Sequence, residues 1–554
     1  MTGQTGVSCR SAVATVIVGV AVVVATQGAA VGAPVAARPT PRPHVITAVG
    51  GLGADEAAAA AAAAPARCAT ATATPVPDGK PIVVSLPPAP RFTVGKIPAS
   101  WWRHPPVSTA SWQLAFLGLT WLPPLAQRAA DDRQRSSVAA LVQQVVTFHS
   151  QNPDPGTNAY GWDEGTAMRR LQTESCLYRL SRSSRLAGSI TADVNVQFST
   201  RYYGPPRFPV HNHGIMANLA VLDAAQLLGR ATWRDKILAR FRSEAPRAWT
   251  RAGTSWEQSS TYHALDMRLW NRVADAVAQV RPKDGVITLI RSLTARADRV
   301  LAWMTEPDGK LVLIGDSDES KGTTRSTWTT RVFRDDQAGL VVGRWAWRDP
   351  TTSYYTLRYG PPRWGHGQQD RTGVTWSARG LRILVNPGRF TYDASPYQAY
   401  AVGQSSHNVA YPSGSLYTRA AASVTAMTIR APAQSWTLVD SLYGVRHVRG
   451  VMVQRARPSL AVADSFAGGR AFRQMWHLDP SWTLVSRSRN GKRLTFRSGG
   501  HVLTVTTTGV FTAVVRGATR PVGGWHFPSH GHRVASAEFA TTARGSARTT
   551  FVVG

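Results

Sequence analysis

Lysine is nearly missing from this 554-residue chain. Only Lys80, Lys96, Lys236, Lys283, Lys310, Lys321 and Lys492 occur, so the 63 basic residues are almost all Arg. Acidic side chains are scarce too, 32 Asp and Glu in all, which leaves a formal net charge of +31. Such an excess points towards polyanionic partners: nucleic acid, anionic lipid or acidic polysaccharide. An Arg- and Ala-rich composition is also what genome-wide base bias produces, so charge alone does not choose a partner. Cysteine is limited to Cys9, Cys68 and Cys176, which excludes a small disulfide-stapled module. Apolar runs long enough to span a bilayer are absent after the N-terminus. What is present is 43% hydrophobic and 17% charged residues, enough to bury cores and to exclude wholesale disorder. At roughly 100 to 200 residues per domain, two large domains plus extras are expected.

Residues 1–33 read as a secretory signal, with Arg10, an apolar stretch over 12–25 (AVATVIVGVAVVVA) and a small-residue cleavage site at Val31-Gly32-Ala33. The apolar stretch is shorter than the roughly 20 residues a spanning helix needs, so no membrane span is expected once the signal is removed. The protein is therefore expected to be secreted or cell-wall associated, in an oxidising compartment where Cys68 and Cys176 either pair or remain free. Residues 34–90 are rich in Ala, Pro, Val and Thr and are assigned to a linker.

From about residue 91 to 325 the apolar residues recur at helical spacing, as in SSVAALVQQVVTFHSQN and YHALDMRLWNRVADAVAQV. A continuous array of such helices needs neighbours to bury each apolar face, which suggests helix pairs wound as a toroid. Over 326–554 the pattern switches to short runs rich in Val, Thr, Trp and Tyr, such as SYYTLRYG, SWTLVDSLYG and HVLTVTTTG, separated by turn residues. The fold class expected is α+β multidomain, an incomplete (α/α) toroid followed by an antiparallel β-sandwich.

Four polar segments stand out. His211-Asn212-His213-Gly214-Ile215-Met216 opens a helix, where an Asn-His pair can donate hydrogen bonds towards an anion with help from the helix dipole, although Asn is also a common helix cap. Trp256-Glu257-Gln258-Ser259-Ser260-Thr261-Tyr262-His263 opens another. Trp364-Gly365-His366-Gly367-Gln368-Gln369-Asp370-Arg371 forms a turn, and His407-Asn408 follows Gln404-Ser405-Ser406.

N-H-G-I-M, then E-x-S-x-x-Y-H, then D-G-x-L-x-x-I-G-D-x-D over 308–318, then the His-Gly turn with G-x-x-x-L-V-x-P-G, then S-x-H-N, resemble in order and spacing the heparinase II/III-like polysaccharide lyases. The resemblance covers roughly residues 162–408. It implies β-elimination on a uronic acid, in which the carboxylate is neutralised, a base takes the C5 proton and an acid protonates the leaving oxygen. By position, Asn212 matches the carboxylate-neutralising Asn, His213 the adjacent base for one C5 epimer, Tyr262 the acid or acid and base, and His366 the first His of the family's H-G-H turn.

Two departures matter: Gln368 stands where the family has the second His, and Asn386 where it has the Asp of L-V-D-P-G. In zinc-containing members these positions and that of His407 bind the ion, and neutral amides are poor zinc ligands, so no metal and no other cofactor is expected. Arg363, Arg371, Arg389, His407, Trp256, Glu257 and Trp364, together with Trp101 and Trp102, are candidates to hold an acidic polysaccharide. Two alternatives stay open. A glycoside hydrolase on the same toroid would use two carboxylates from Asp163, Glu164 and Glu257. A glycan-binding protein of the cell wall would keep the fold without turnover. Nucleic acid is not expected as a partner, because the Arg residues are dispersed and no binding motif is present.

Overall fold

The computed structural model describes residues 68–72, 76, 81–199, 210–325, 328–362 and 364–554. The signal segment, most of the Ala/Pro stretch and Arg363 lie outside the described residues. Ten helices run from residue 99 to 303 among the described residues: α1 (Ala99–Arg103), α2 (Ala110–Leu117), α3 (Leu122–Asp131), α4 (Arg135–Gln151), α5 (Glu164–Ser181), α6 (Leu186–Phe198), α7 (Asn212–Leu227), α8 (Ala231–Glu244), α9 (Ser260–Val280) and α10 (Gly285–Trp303). Local capping sets several starts. Asp163 accepts from the Gly165 N–H, Ser259 from Tyr262 and Asp284 from Val286, each satisfying an otherwise orphaned first-turn donor.

Consecutive helices pack as pairs, α5 with α6, α7 with α8 and α9 with α10, and their apolar stripes merge into one core. Phe116 lies stacked between Trp102 and Trp112, at 5.1 and 4.8 Å between ring centroids. Trp102 retains only 1% of its surface, so it is a core residue and does not stack on sugars. Trp101 packs against the same core. That core begins before residue 91: Ile82 and Val84 are buried in it, and Val83–Val84 pairs with Phe92–Thr93 as a two-stranded ribbon. Cys68 is disulfide-bonded to Cys176 of α5, which ties the N-terminal segment to the toroid.

The C-terminal half is antiparallel throughout its sheets. A meander of Val332–Asp335, Leu340–Arg344, Tyr354–Arg358, Val374–Ala378 and Leu381–Leu384 forms one five-stranded sheet. An eight-stranded sheet runs from Thr483–Arg487 at one edge to Ala422–Ile429 at the other. Ala433–Asp440 alternates half-buried and buried residues along its length, the period of two expected for a strand with one face on a core. Trp436, Leu438, Val451 and Phe551 thereby meet Tyr355, Leu357 and Trp376 of the meander. Burying each such aromatic contributes about 2–3 kcal/mol. The Trp436 indole donates to the Tyr355 hydroxyl, which donates to Gln434 at 2.6 Å, joining the two sheets.

Between α10 and the first strand of the meander, the connecting segment 304–325 is largely irregular. It lies against both halves: the Ser260 N–H donates to the Ile314 carbonyl, and the Asp316 N–H to that of His366, at 3.2 and 2.8 Å. This segment positions the site. Among the described residues no helix is long and apolar enough to cross a membrane.

Candidate active site

Asn212 and His213 begin α7, and the His211 ring caps that start by accepting the His213 N–H at 3.2 Å. The Asn212 N–H donates to Glu257 Oε1 at 2.7 Å, and His211 Nδ1 lies 3.2 Å from Asn212 Oδ1. Tyr262, in the first turn of α9, is fixed by its backbone bond to Ser259.

From the strand half comes the 364–371 turn. The His366 N–H donates to the Glu257 carbonyl at 3.0 Å, and the His366 ring lies flat on Tyr262, with centroids 3.3 Å apart and planes 8° from parallel. His366 Nε2 is 3.5 Å from Glu257 Oε2, and Nδ1 is 3.3 Å from Asp316 Oδ2. The Tyr392 hydroxyl then bridges, at 2.9 Å from the Tyr262 hydroxyl and 3.1 Å from His366 Nδ1, and Arg389 donates to it at 3.3 Å. Arg389 also pairs with Asp318.

Of the predicted quartet, Asn212 and His366 are linked through Glu257, Tyr262 joins by its stack on His366, and His213 stands beside Asn212, with residues contributed by both halves of the chain. Sequence reading missed Tyr392 and the support given by Asp316. A tyrosine four residues past Pro-Gly in RFTYDASP gives no local signal of a bond to a residue 130 positions earlier.

Other expectations are corrected. Arg371 keeps 3% of its surface and is spent inside the sandwich, donating to the Tyr417 hydroxyl and to the carbonyls of Thr418 and Ala420. His407 is fully buried beside Asn386, with 3.4 Å between His407 Nδ1 and Asn386 Oδ1. Neither is placed to touch a polysaccharide. Glu257 accepts the Asn212 N–H with Oε1 and sets Oε2 against His366 Nε2, so it serves as a strut inside the site and not as a hydrolase carboxylate. Trp256 is half-buried, and Trp364 lies 6.0 Å from the His211 ring.

Electrostatics separate the roles. Burial pushes His213 down to about 4, with Arg169 adding to the effect, so its imidazole is neutral near pH 7. Burial pushes Tyr262 up and only partly yields to the Arg389 cation, so the phenol stays protonated. His366 is lowered by burial, against the pull of Asp316. Glu257 is held well above the ordinary carboxylate range by burial and by the charge of Asp266. A neutral imidazole and a protonated phenol are a base and an acid ready for use.

The residues at the family's zinc position do not fit that ion. Gln368 Nε2 donates to Asp316 Oδ1 at 2.9 Å and to the Gly388 carbonyl at 3.1 Å, and Asn386 Nδ2 donates to the Leu313 carbonyl at 2.8 Å. These amide N–H groups tie the turn, the 387–389 loop and the connecting segment together directly, and they offer a cation no negative charge.

Residues 333–553 match the family model "Heparinase II/III-like, C-terminal". The match covers the strand half and none of the helices α1–α10. The chain is similar to a structure titled "Crystal Structure of Heparinase III", at 14% identity and a TM-score of 0.66, covering 82% of this chain and 78% of that one. It is similar also to the heparan sulfate lyase HepC from Pedobacter heparinus, at 13% identity and a TM-score of 0.59, covering 85% and 81%. At these identities the likeness establishes the toroid-plus-sandwich fold. No curated protein matches the sequence.

Proposed function

We propose that this protein is a secreted or cell-wall-associated polysaccharide lyase that cleaves an acidic, uronate-containing polysaccharide by β-elimination. The observation that carries the reading is the hydroxyl chain Tyr262–Tyr392–His366 beside Arg389, reaching through Glu257 to the Asn212-His213 pair. Asn212 donates its amide hydrogen to the substrate carboxylate and stabilises charge developing there. His213, neutral at pH 7, takes the C5 proton, and Tyr262, protonated, gives its proton to the leaving glycosidic oxygen. His366 and Tyr392 hold the Tyr262 ring and hydroxyl in place.

Lyase activity in the structural neighbours, the family match of the strand half and the net charge of +31 support an acidic polymer as substrate. The leader-like N-terminus and the Cys68–Cys176 disulfide support export to an oxidising compartment. The test is incubation with a panel of acidic polysaccharides while ultraviolet absorbance of an unsaturated uronate is followed. Wild type is expected to raise it on at least one polymer and Tyr262→Phe to abolish the rise while folding normally. Reducing ends released without the absorbance change would overturn the reading.

A further inference from the structure

Asp163 and Glu164, two of the carboxylates a hydrolase would draw on, stand at the start of α5 as its cap and its first residue. Glu164 Oε1 lies 2.9 Å from Nδ1 of His213, with both side chains largely buried. This bond joins the first turns of α5 and α7. Glu164 is held at N1 of its helix by the Asp163 cap and by Gln197, which donates to the Glu164 carbonyl at 3.1 Å. His213 is held from its own side by the His211 cap. The other charged or titratable groups facing His213 are Asp163 and Arg169 at the start of α5, His211 from its own turn and His366 from the strand half. Burial pushes the Glu164 and Asp163 carboxyls up to about 7, so Glu164 acts as a carboxylate on the alkaline side of that value, and the measurements below are made at pH 8.

We propose that Glu164 is a positioning residue that keeps the His213 proton on Nδ1, leaving the Nε2 lone pair as the base that meets the uronate C5. This rests on the lyase reading of the site. In the step, Nε2 takes the C5 proton, and the C–H electron pair becomes the C4=C5 double bond. The C4–O bond breaks, and the departing oxygen takes the Tyr262 hydroxyl proton. His213 is then an imidazolium with a proton on each nitrogen, its Nδ1–H donating to the Glu164 carboxylate. Proton return from His213 to Tyr262 through solvent restores both groups. A carboxylate in this position does for His213 what the buried Asp does for the histidine of a catalytic triad, fixing the tautomer and stabilising the cation, a role whose loss by Asp→Asn costs about 10⁴ in kcat there.

The test pairs a spectroscopic readout with a kinetic one on the full chain. Nitrogen-15 NMR of the histidine side chains, with His213→Ala assigning the signals, is expected to show Nδ1 protonated in wild type and a mixed or Nε2-protonated ring in Glu164→Gln. On the polymer that wild type cleaves, Glu164→Gln is expected to lose about 100-fold or more in kcat with KM nearly unchanged. Glu164→Asp, which keeps the carboxylate, is expected to recover part of that loss, and thermal melting checks that both variants fold. An Nε2-protonated His213 in wild type overturns the proposal whatever the activity, as does a Glu164→Gln enzyme with wild-type kcat. A wild type inactive on every polymer but with Nδ1 protonated would overturn the lyase reading and leave the tautomer assignment standing.

Discussion

Gly315 offers the sharpest test of how the site is held. The connecting segment threads at this residue between the backbones of Gln258 and His366, with φ of +59°. A methyl group added there would lie 2.5 Å from the His366 carbonyl oxygen and closer still to that of Gln258. Both atoms are backbone, so no rotamer change relieves the clash. The left-handed conformation costs a non-glycine residue roughly 1–2 kcal/mol, and overpacking adds about 1–3 kcal/mol. A total of about 3 kcal/mol lowers the melting temperature by about 10 °C for a domain of this size. The displacement falls on the site, because Gln258 precedes Tyr262 by four residues, His366 is itself the clashing group and Asp316 is the next residue. A shift of about 1 Å in such groups costs about 100-fold in rate. Gly315→Ala is therefore expected to fold, melt about 10 °C lower and lose about 100-fold in kcat on the cleaved polymer. Gly309→Ala is the control: its φ is +87° but its methyl meets nothing within 4 Å, so only the backbone cost of about 1 kcal/mol applies and turnover survives. Wild-type kcat in Gly315→Ala, with a melting temperature equal to that of the control, would refute the reasoning.

Two further outcomes follow from buried groups elsewhere. In the toroid, Glu174 and Asp193 lie fully buried against His149 and Arg170, and burial pushes the Glu174 carboxyl up to about 8 against the pull of Arg170, from an ordinary 4.5. The native state therefore holds a proton that the unfolded chain releases, so this stabilisation is complete below about pH 4.5 and is lost as pH rises through about 8. Glu174→Gln is expected to show a smaller fall in urea midpoint than wild type between pH 5 and 8.5, and equal falls would contradict the burial argument. At the amide-tied turn, a chelator is expected to leave melting temperature and turnover unchanged, and metal analysis of the purified protein is expected to find no stoichiometric zinc. Finding that zinc would overturn the reading of Gln368 and Asn386.

How far sequence carried the interpretation follows from the range of each signal. Helical periodicity around YHALDMRLWNRVADAVAQV and alternation in SWTLVDSLYG are local, and both segments fold as read. Asn212, His213, Tyr262 and His366 were accessible through ordered motifs, and the structure links Asn212 to His366 through Glu257 and His366 to Tyr262 by ring stacking. Burial was not legible. Arg371 and Trp102 look like surface ligands in a one-dimensional reading, and only packing shows the first satisfied by loop carbonyls and the second held against Phe116. Long-range partners were equally hidden: nothing near Tyr392 specifies Tyr262, and nothing near Glu164 specifies His213, 49 positions away.

The flat stack of Tyr262 on His366 has a consequence for how the molecule works as a machine. One ring belongs to the helical half and the other to the strand half, and the contact leaves no slack between them. In the elimination proposed above Tyr262 gives its proton while this stack holds, so loosening the seam takes the phenol out of line. Turnover then doubles as a gauge of the seam. Mild denaturant or a seam-loosening substitution should silence the enzyme well before circular dichroism registers any loss of helix or sheet, and a tightly bound oligosaccharide spanning both halves should bring the two transitions back together.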